Sequence, residues 1–346
     1  MNLPIRTHIR YLADRLAIEE LVSRYAHAVD RHDVPLMEGV YHPDAWDEHG
    51  AFRGGIDAFT GWVNGLHERK TIAHTHNITT HVADIDGDVA HADSYVLFVL
   101  SLRATDKVMI GTGRYIDRLA RRDGRWRIEL RVTLTEARIE VDRSAGGTMF
   151  GSAPMGSWDR GDPAFALLSP EPRSDRPAAA TAPPLADLAA RRAVRDLVMQ
   201  AARGLDRRDE ALFLAQFAPD ADIVVAGAAL SPEAALRRSE AAGLFDNLAH
   251  THNVTTQRVV VDGDRATATS RLIRMVRHND RRSVGVEGLE YRDTCRLGAD
   301  GWRIVRREAA SDWSFDGDGT LFEDDDGYRH GRRDRSDESY ARPLVA

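Results

Sequence analysis

The sequence predicts two tandem α+β domains, each with helices packed on one face of a curved, mainly antiparallel sheet. Two observations support this prediction. The segment AHTHNITT at residues 73–80 returns as AHTHNVTT at residues 249–256, 176 positions later, and such repetition indicates a duplicated domain. In each half, segments with helical spacing of apolar residues come first, and segments with alternating apolar and polar residues follow, as in α+β proteins.

The composition excludes several classes of protein. A chain of 346 residues has the length of about two domains of 100–200 residues each. Its net charge of −7 argues against a nucleic-acid-binding protein, which would need a basic face. Cys295 is the single cysteine, which rules out an intrachain disulfide and indicates a reducing compartment. Residues 1–15 are too polar for a signal peptide, and no apolar run reaches the roughly 18–20 residues of a membrane span, so we expect a cytoplasmic protein.

The first half divides into helices and then strands. Apolar residues at helical spacing predict a helix over residues 11–31, with shorter helices at residues 34–41 and 55–68. Residues 45–51 fit a strand between the shorter helices. Turn sequences rich in Asp and Gly separate four further predicted strands, at residues 71–83, 89–102, 107–121 and 126–141.

The boundaries between the halves follow from composition. Residues 144–154 are rich in Gly and fit a loop, and residues 169–184 are rich in Pro and Ala and fit an extended linker. The domains therefore cover residues 1–168 and 185–346. The acidic stretch at residues 315–328 fits a solvated loop. We expect the domains to pack sheet to sheet about a pseudo-twofold axis, as a pseudo-dimer within one chain, with further homo-oligomerisation left open.

The repeated segment also carries the residues best suited to proton transfer. In a strand, His74 and His76 point to the same face. A histidine can take up a proton near neutral pH once a partner fixes its tautomer. Asp30, at the end of the first helix, is the candidate partner, because it recurs as Asp206 just as His76 recurs as His252. The sequence therefore predicts an Asp–His pair in each half.

Tyr25 lies on the apolar stripe of the first helix. Its hydroxyl could polarise a carbonyl or assist a departing hydroxide. The five-residue spacing from Asp30 corresponds to about 140° around an ideal helix, so the two side chains converge only if the helix ends or distorts near Asp30. A tyrosine on such a stripe is more often a core residue. In the second half Ala201 stands in its place.

A metal site is the second interpretation of the repeated segment. The pair His74 and His76 on one strand, with Asp30 or Glu48 as a carboxylate ligand, could bind a transition metal. A third histidine or a cysteine at diagnostic spacing is missing from the sequence pattern, and Glu48 becomes Val224 in the second half. Phosphate-cradling Gly-rich loops are also missing. We therefore expect neither a metal nor an organic cofactor.

Several motifs together resemble a known family. They are LAIEEL at residues 16–21 followed by Tyr25 and Asp30, His76 followed by DIDG at residues 84–87, GRY at residues 113–115, and RDGRWRI at residues 122–128. This pattern resembles the SnoaL-like polyketide cyclase/dehydratase family, whose members have the cone-shaped α+β barrel of the nuclear-transport-factor-like superfold. The resemblance covers both halves of the chain.

The resemblance implies a function and a set of residues. Lyases of this family use an Asp–His pair without a cofactor, and its bile-acid dehydratases add a tyrosine five residues before the aspartate. These roles fall on Tyr25, Asp30 and His76, and the second half keeps only Asp206 and His252. We expect four further residues to line the pockets, namely His74, Trp46, Arg114 and His250.

The resulting hypothesis is a dehydratase-like lyase that acts on a hydrophobic small molecule, with the first domain carrying most of the activity. Two alternatives stay open. The same base would serve a ketosteroid-type isomerase or a cyclase, because these reactions also begin with proton abstraction from carbon. A non-catalytic small-molecule-binding protein would use the same fold without the chemistry.

Overall fold

The computed structural model describes residues 5–142, 185–225, 228–241, 246–279, 282–318 and 327–341. The predicted loop at residues 144–154 and the predicted linker at residues 169–184 lie outside these ranges.

The first half forms helices and then a sheet, as predicted. Its helices are α1 (Ile5–Asp30), α2 (Val34–Gly39) and α3 (Ile56–Lys70). Its strands are β1 (Tyr41–His49), β2 (Phe52–Gly55), β3 (Thr71–Asp86), β4 (Val89–Leu102), β5 (Lys107–Arg122) and β6 (Arg125–Asp142).

The second half repeats this order. Its helices are α4 (Leu185–Asp206), α5 (Glu210–Leu214) and α6 (Pro232–Ala241). Its strands are β7 (Phe217–Val225), β8 (Ala228–Leu230), β9 (Asn247–Asp262), β10 (Arg265–His278), β11 (Ser283–Gly298) and β12 (Gly301–Asp318). A short strand β13 (Arg329–His330) and a 3₁₀ helix (Glu338–Tyr340) follow. Among the helices of the described residues, none is long and apolar enough to span a membrane.

Each domain has one mixed sheet. The first sheet runs β2-β1-β6-β5-β4-β3 and the second runs β8-β7-β12-β11-β10-β9. The four long strands of each half form an antiparallel meander, whereas β1 and β7 pair in parallel with β6 and β12. Gly87 and Gly263 turn the equivalent first hairpins with φ of 60° and 58°, a left-handed conformation that glycine adopts at no steric cost.

The turn after the first helix is also duplicated, and it positions the candidate site. His32 and Arg208 both adopt a left-handed φ of 52°, which ends α1 and α4. Asp33 and Asp209 then cap the next short helices by accepting a hydrogen bond from a backbone N–H three residues later, at 3.1 Å in both cases. The repeated turn holds Asp30 and Asp206 at equivalent helix ends.

The two domains contact each other through their sheets, but equivalent residues do not make equivalent contacts. Asn253 of β9 accepts hydrogen bonds from the hydroxyls of Thr79 and Thr112 at 3.0 and 3.1 Å, and is buried. The Thr80 hydroxyl donates to the carbonyl of His252 at 2.6 Å. The counterpart of Asn253 is Asn77, which is exposed and donates to a carbonyl of its own domain. The start of β9 is therefore enclosed by the interface, whereas the start of β3 is not.

The prediction of a solvated loop over residues 315–328 is wrong at both ends of that range. Strand β12 continues to Asp318 because it pairs with β11 along its whole length. At the other end, the ring of Tyr328 lies 5.6 Å from the ring of His49 and packs over Gly50. Residues 327–341 thus return to the first domain, where β13 pairs with β6.

Candidate functional site

Asp30 and His76 form a doubly connected pair. One carboxylate oxygen of Asp30 lies 2.8 Å from Nδ1 of His76, and the other accepts the backbone N–H of His76 at 2.9 Å. A carboxylate at Nδ1 holds the proton there and leaves Nε2 with its lone pair. Among the described residues, none hydrogen-bonds to Nε2 of His76. The side chains of Asp30 and His76 are 12% and 11% exposed, so the pair is sheltered but reachable.

The second half reproduces the pair in a more enclosed setting. Asp206 lies 2.6 Å from Nδ1 of His252 and accepts its backbone N–H at 2.8 Å. Here the side-chain exposures are 0% for Asp206 and 3% for His252. Arg333, from the returning C-terminal segment, donates to the backbone carbonyl of Asp206 at 3.2 Å and lies 3.5 Å from Nδ1 of His250. The second pair has the geometry of the first but is closed off from solvent.

Tyr25 occupies the core of the first domain. Helix α1 continues to Asp30, and no hydrogen bond between described residues joins Tyr25 to Asp30 or His76. The Tyr25 ring packs edge-on against Tyr41 and Tyr115, with centroids 5.9 and 5.4 Å apart, and it is 1% exposed. Burial raises the pKa of its phenol well above the ordinary value, so the hydroxyl stays protonated.

Arg131 organises the buried polar residues around Tyr25, and sequence reasoning missed it. Its guanidinium lies 4.0 Å from the ring centroid of Tyr25 and 4.1 Å from that of Tyr115, and it makes two hydrogen bonds to Asp117 at 2.7 and 2.8 Å. Although burial opposes the charge, Asp117 keeps the guanidinium charged, and the pKa of Arg131 is raised. The second half keeps this bidentate pair as Arg307 and Asp293, so the repetition of Arg and Asp at a spacing of 14 residues was the available signal.

The polar surroundings of Tyr25 distinguish the halves. The Tyr41 hydroxyl donates to Asp47 at 2.8 Å, and both are buried in the first domain. At the corresponding positions of the second domain the side chains are apolar. Counting 176 residues on from Tyr25, Tyr41 and Asp47 gives Ala201, Phe217 and Ile223.

His74 lies beside His67, which sequence reasoning also missed. The two rings have centroids 4.0 Å apart, and the ring of His32 stacks on His74 at 5.4 Å. Burial lowers the pKa of all three histidines, to about 4 for His74, where the neighbouring His76 adds to the effect. These side chains are therefore neutral at pH 7. His67 comes from the last turn of α3, and no periodicity in the sequence links that helix to β3.

The other expected pocket residues lie in different surroundings. Trp46 is 43% exposed. Arg114 is fully buried and binds Glu136 at 2.7 Å and Asp337 at 2.9 Å, so it belongs to a charged network between the first domain and the C-terminal segment. His250 is buried next to His252, with ring centroids 4.6 Å apart.

The described residues offer three groups that could hold a metal ion. Two follow the duplicated pair, as Asp30 with His74 and His76, and as Asp206 with His250 and His252. The third is His32, His67 and His74. In each group the candidate ligand atoms lie within 4.8 Å of one another.

Both halves match a single family model. The model of the SnoaL-like domain matches residues 10–132 and again residues 186–308. The chain belongs to the SnoaL-like domain family. The predicted resemblance and the tandem arrangement of two such domains are therefore confirmed. No curated protein matches this chain.

Solved structures similar to the chain each cover about one SnoaL-like domain. A structure of LinA is 22% identical over 42% of this chain and 98% of its own, with a TM-score of 0.37. A candidate scytalone dehydratase from Novosphingobium aromaticivorans is 20% identical over 42% of this chain and 97% of its own, with a TM-score of 0.35. A variant of Rv3472, a Mycobacterium tuberculosis protein of unknown function, is 29% identical over 36% of this chain and 78% of its own, with a TM-score of 0.33. Because these TM-scores are low, the assignment of the chain to the SnoaL-like domain family rests on the family model alone.

Proposed function

We propose that the first SnoaL-like domain is a cofactor-independent lyase that eliminates water, or a similar leaving group, from a hydrophobic small molecule. The observation that carries the proposal is the Asp30–His76 pair, in which Oδ1 lies 2.8 Å from Nδ1. A neutral imidazole with its proton held at Nδ1 has a base at Nε2, and the carboxylate stabilises the imidazolium that forms when Nε2 takes up a proton.

The proposed step is a β-elimination. Nε2 of His76 removes a proton from a carbon next to an electron-withdrawing group, and the C–H electron pair forms the new double bond. The leaving hydroxide departs from the adjacent carbon with its bonding pair and takes up a proton from solvent to form water. The proton on His76 then passes to solvent, which restores the base. No electrons enter or leave the system, so the reaction needs no redox partner.

Tyr25 enters this proposal as a donor to the substrate or to the leaving hydroxide, a role that requires the substrate to reach a phenol that is 1% exposed in this fold. The phenol stays protonated at neutral pH and can donate a hydrogen bond, although its raised pKa makes it a weaker acid than an ordinary tyrosine. The buried Arg131 lies beside its ring in a bidentate ion pair with Asp117, which fixes the guanidinium against the phenol without adding a net charge. No described hydrogen bond links Tyr25 to Asp30 or His76, so a direct proton relay among the three is not part of the mechanism.

We further propose that the second domain contributes little to the rate. His252 has the same carboxylate partner, but Ala201 replaces the phenol and the imidazole is 3% exposed. A base without an acid, closed off from solvent, lacks both the donor and the access that elimination requires. General acid–base assistance contributes about 10²–10⁴-fold, which sets the size of the expected difference between the halves.

The test uses the full-length protein and a panel of apolar β-hydroxy ketones, including steroid and aromatic members. Elimination produces a conjugated enone, which is followed by its ultraviolet absorbance, and mass spectrometry confirms the loss of water. The proposal expects activity on at least one member that falls by about 10²-fold or more in His76→Gln. Wild-type-like turnover in His76→Gln would overturn it.

Running the same panel in D₂O separates elimination from its alternatives. Deuterium exchange next to the carbonyl with a shifted double bond and no loss of water would assign an isomerase that uses the same base. Ligand binding without exchange or elimination would assign a non-catalytic binding protein. Either outcome would overturn the proposal that the protein is a lyase.

A further inference from the structure

We propose that the first domain contains a transition-metal site formed by His32, His67 and His74, next to the Asp30–His76 pair but separate from it. The three imidazoles come from three elements that meet only in the folded domain. His32 lies in the turn after α1, His67 in the last turn of α3 and His74 near the start of β3. One nitrogen from each ring lies within 4.8 Å of the others.

His67 provides the observation that indicates a bound ligand. Its side chain is buried, with 8% exposure, and its Nδ1 has no hydrogen-bond partner among the described residues. A buried polar atom without a partner destabilises the fold. Three imidazole rings surround that of His67, with the centroids of His74, His76 and His32 at 4.0, 5.6 and 6.3 Å from its own. A metal ion bound there would satisfy this nitrogen.

The donor set favours a particular class of metal. Three neutral imidazoles suit Zn²⁺, Co²⁺, Ni²⁺ or Cu²⁺ and do not suit Mg²⁺ or Ca²⁺, which take oxygen ligands. Around tetrahedral Zn²⁺ the Zn–N distances are about 2.0–2.1 Å, which places nitrogens roughly 3.3 Å apart. Side-chain movements of about 1 Å would bring the three histidine nitrogens to that spacing.

The surroundings supply the outer contacts that metal-bound histidines need. Nε2 of His74 lies 3.2 Å from the carbonyl oxygen of Val29, and Nδ1 of His32 lies 3.6 Å from a carboxylate oxygen of Glu68. Carbonyl and carboxylate partners of this kind orient ligating imidazoles and raise their basicity.

The second domain provides an internal control, because the three-histidine set is not duplicated. The residues 176 positions after His32 and His67 are Arg208 and Gly243, and only His250 preserves a histidine, that of His74. The duplicated groups, Asp30 with His74 and His76 and their counterparts, would instead predict two equivalent sites per chain. One bound ion per chain therefore favours the three-histidine site, and two bound ions favour the duplicated groups.

The experiment measures metal binding directly and does not depend on enzyme activity. Full-length protein is treated with chelator and titrated with Co²⁺, whose visible absorbance reports tetrahedral nitrogen coordination, and with Zn²⁺ by calorimetry. The proposal expects one ion per chain. It also expects at least a tenfold loss of affinity in His67→Gln and in His32→Gln, since even outer contacts of metal ligands contribute about 10–100-fold.

Matched variants identify the ligands. His76→Gln removes only the group that contains the Asp30–His76 pair, and His252→Gln removes only the second-domain group, so both should bind one ion as the wild type does. Binding lost in His76→Gln and kept in His67→Gln would overturn the proposal, as would binding lost only in His252→Gln or no binding by the wild type. Circular dichroism and thermal unfolding of each variant exclude misfolding as the cause.

Discussion

Asp30 contacts His76 at two points, with one oxygen 2.8 Å from Nδ1 and the other 2.9 Å from the backbone nitrogen. The first contact fixes the tautomer of the ring, and the second fixes the strand against the end of α1. A single carboxylate thus sets both the protonation and the position of the candidate base. Asp206 and His252 repeat the arrangement, which makes the second domain a matched reference for each mutation in the first.

The substitution Asp30→Asn tests the contact between the Asp30 carboxylate and Nδ1 of His76. An amide oxygen can still accept the backbone N–H, but its NH₂ group can donate to Nδ1, which favours the proton on Nε2 and removes the base. We expect kcat/KM for elimination to fall by about 10²–10⁴-fold with the secondary structure unchanged by circular dichroism. The control is Asp206→Asn, which should retain most of the activity. Comparable losses in both variants would mean that the two domains act together.

The pair of exchanges His76→Gln and His252→Gln tests the difference between the domains. The first removes a base that solvent can reach, and the second removes one that is 3% exposed and lacks a neighbouring phenol. We expect a rate loss of about 10²–10⁴-fold for His76→Gln and less than about threefold for His252→Gln. Both are assayed on one substrate. The reverse order would place the active site in the second domain.

Removal of metal should leave the elimination rate unchanged. Asp30 and His76 contact each other directly, and His76 is not part of the proposed three-histidine set. The rate is measured before and after dialysis against EDTA and again after Zn²⁺ is added back. A loss of activity that Zn²⁺ restores would contradict the cofactor-independent mechanism.

Acidification should destabilise the fold through its buried histidines, and His81 is the one best suited to a test. Burial, with help from the positive charge of Arg15, lowers the pKa of His81 to about 3, against about 6.5 when unfolded. Between these values the unfolded chain binds the extra proton, so the free energy of unfolding rises with pH up to about 6.5 and falls as pH drops toward 3. Complete loss of this contribution corresponds to at most about 4–5 kcal/mol.

The measurement is urea unfolding as a function of pH for the wild type and for His81→Gln. The variant should show a shallower dependence on pH between about 6.5 and 3. His278→Gln is the control, because that side chain is 44% exposed, and its slope should match the wild type. Equal slopes in all three proteins would show that His81 does not carry the effect.

The charged network between Arg114 and Asp337 should stabilise the attachment of the C-terminal segment. Both side chains are completely buried, with Nη1 of Arg114 2.9 Å from Oδ1 of Asp337. Asp337→Ala leaves a buried cation without one of its partners, which costs about 3–5 kcal/mol of unfolding free energy. The control is Glu210→Ala in the exposed pair with Arg237, for which less than about 1 kcal/mol is expected. Denaturant unfolding measures both, and a loss below about 1 kcal/mol for Asp337→Ala would contradict the prediction.

The sequence by itself determined the duplication, the order of helices and strands, and the Asp–His pairs. These features are local or periodic. The apolar stripe of α1, from Ile18 to Val29, specifies one buried helix face, and the alternation in the four long strands specifies the meander. Asp30 and His76 could be paired in advance because the same two residues recur at the same separation as Asp206 and His252.

Only the tertiary structure decided which residues surround those pairs. His67 joins His74, Arg131 lies against Tyr25, and Arg333 contacts Asp206 through packing between segments distant in sequence. Such contacts leave no period in the chain, because each depends on where whole elements come to rest. The interface likewise buries Asn253 and leaves Asn77 exposed, although the two segments are nearly identical. Nearly identical sequences acquire different environments when the domains that carry them pack asymmetrically.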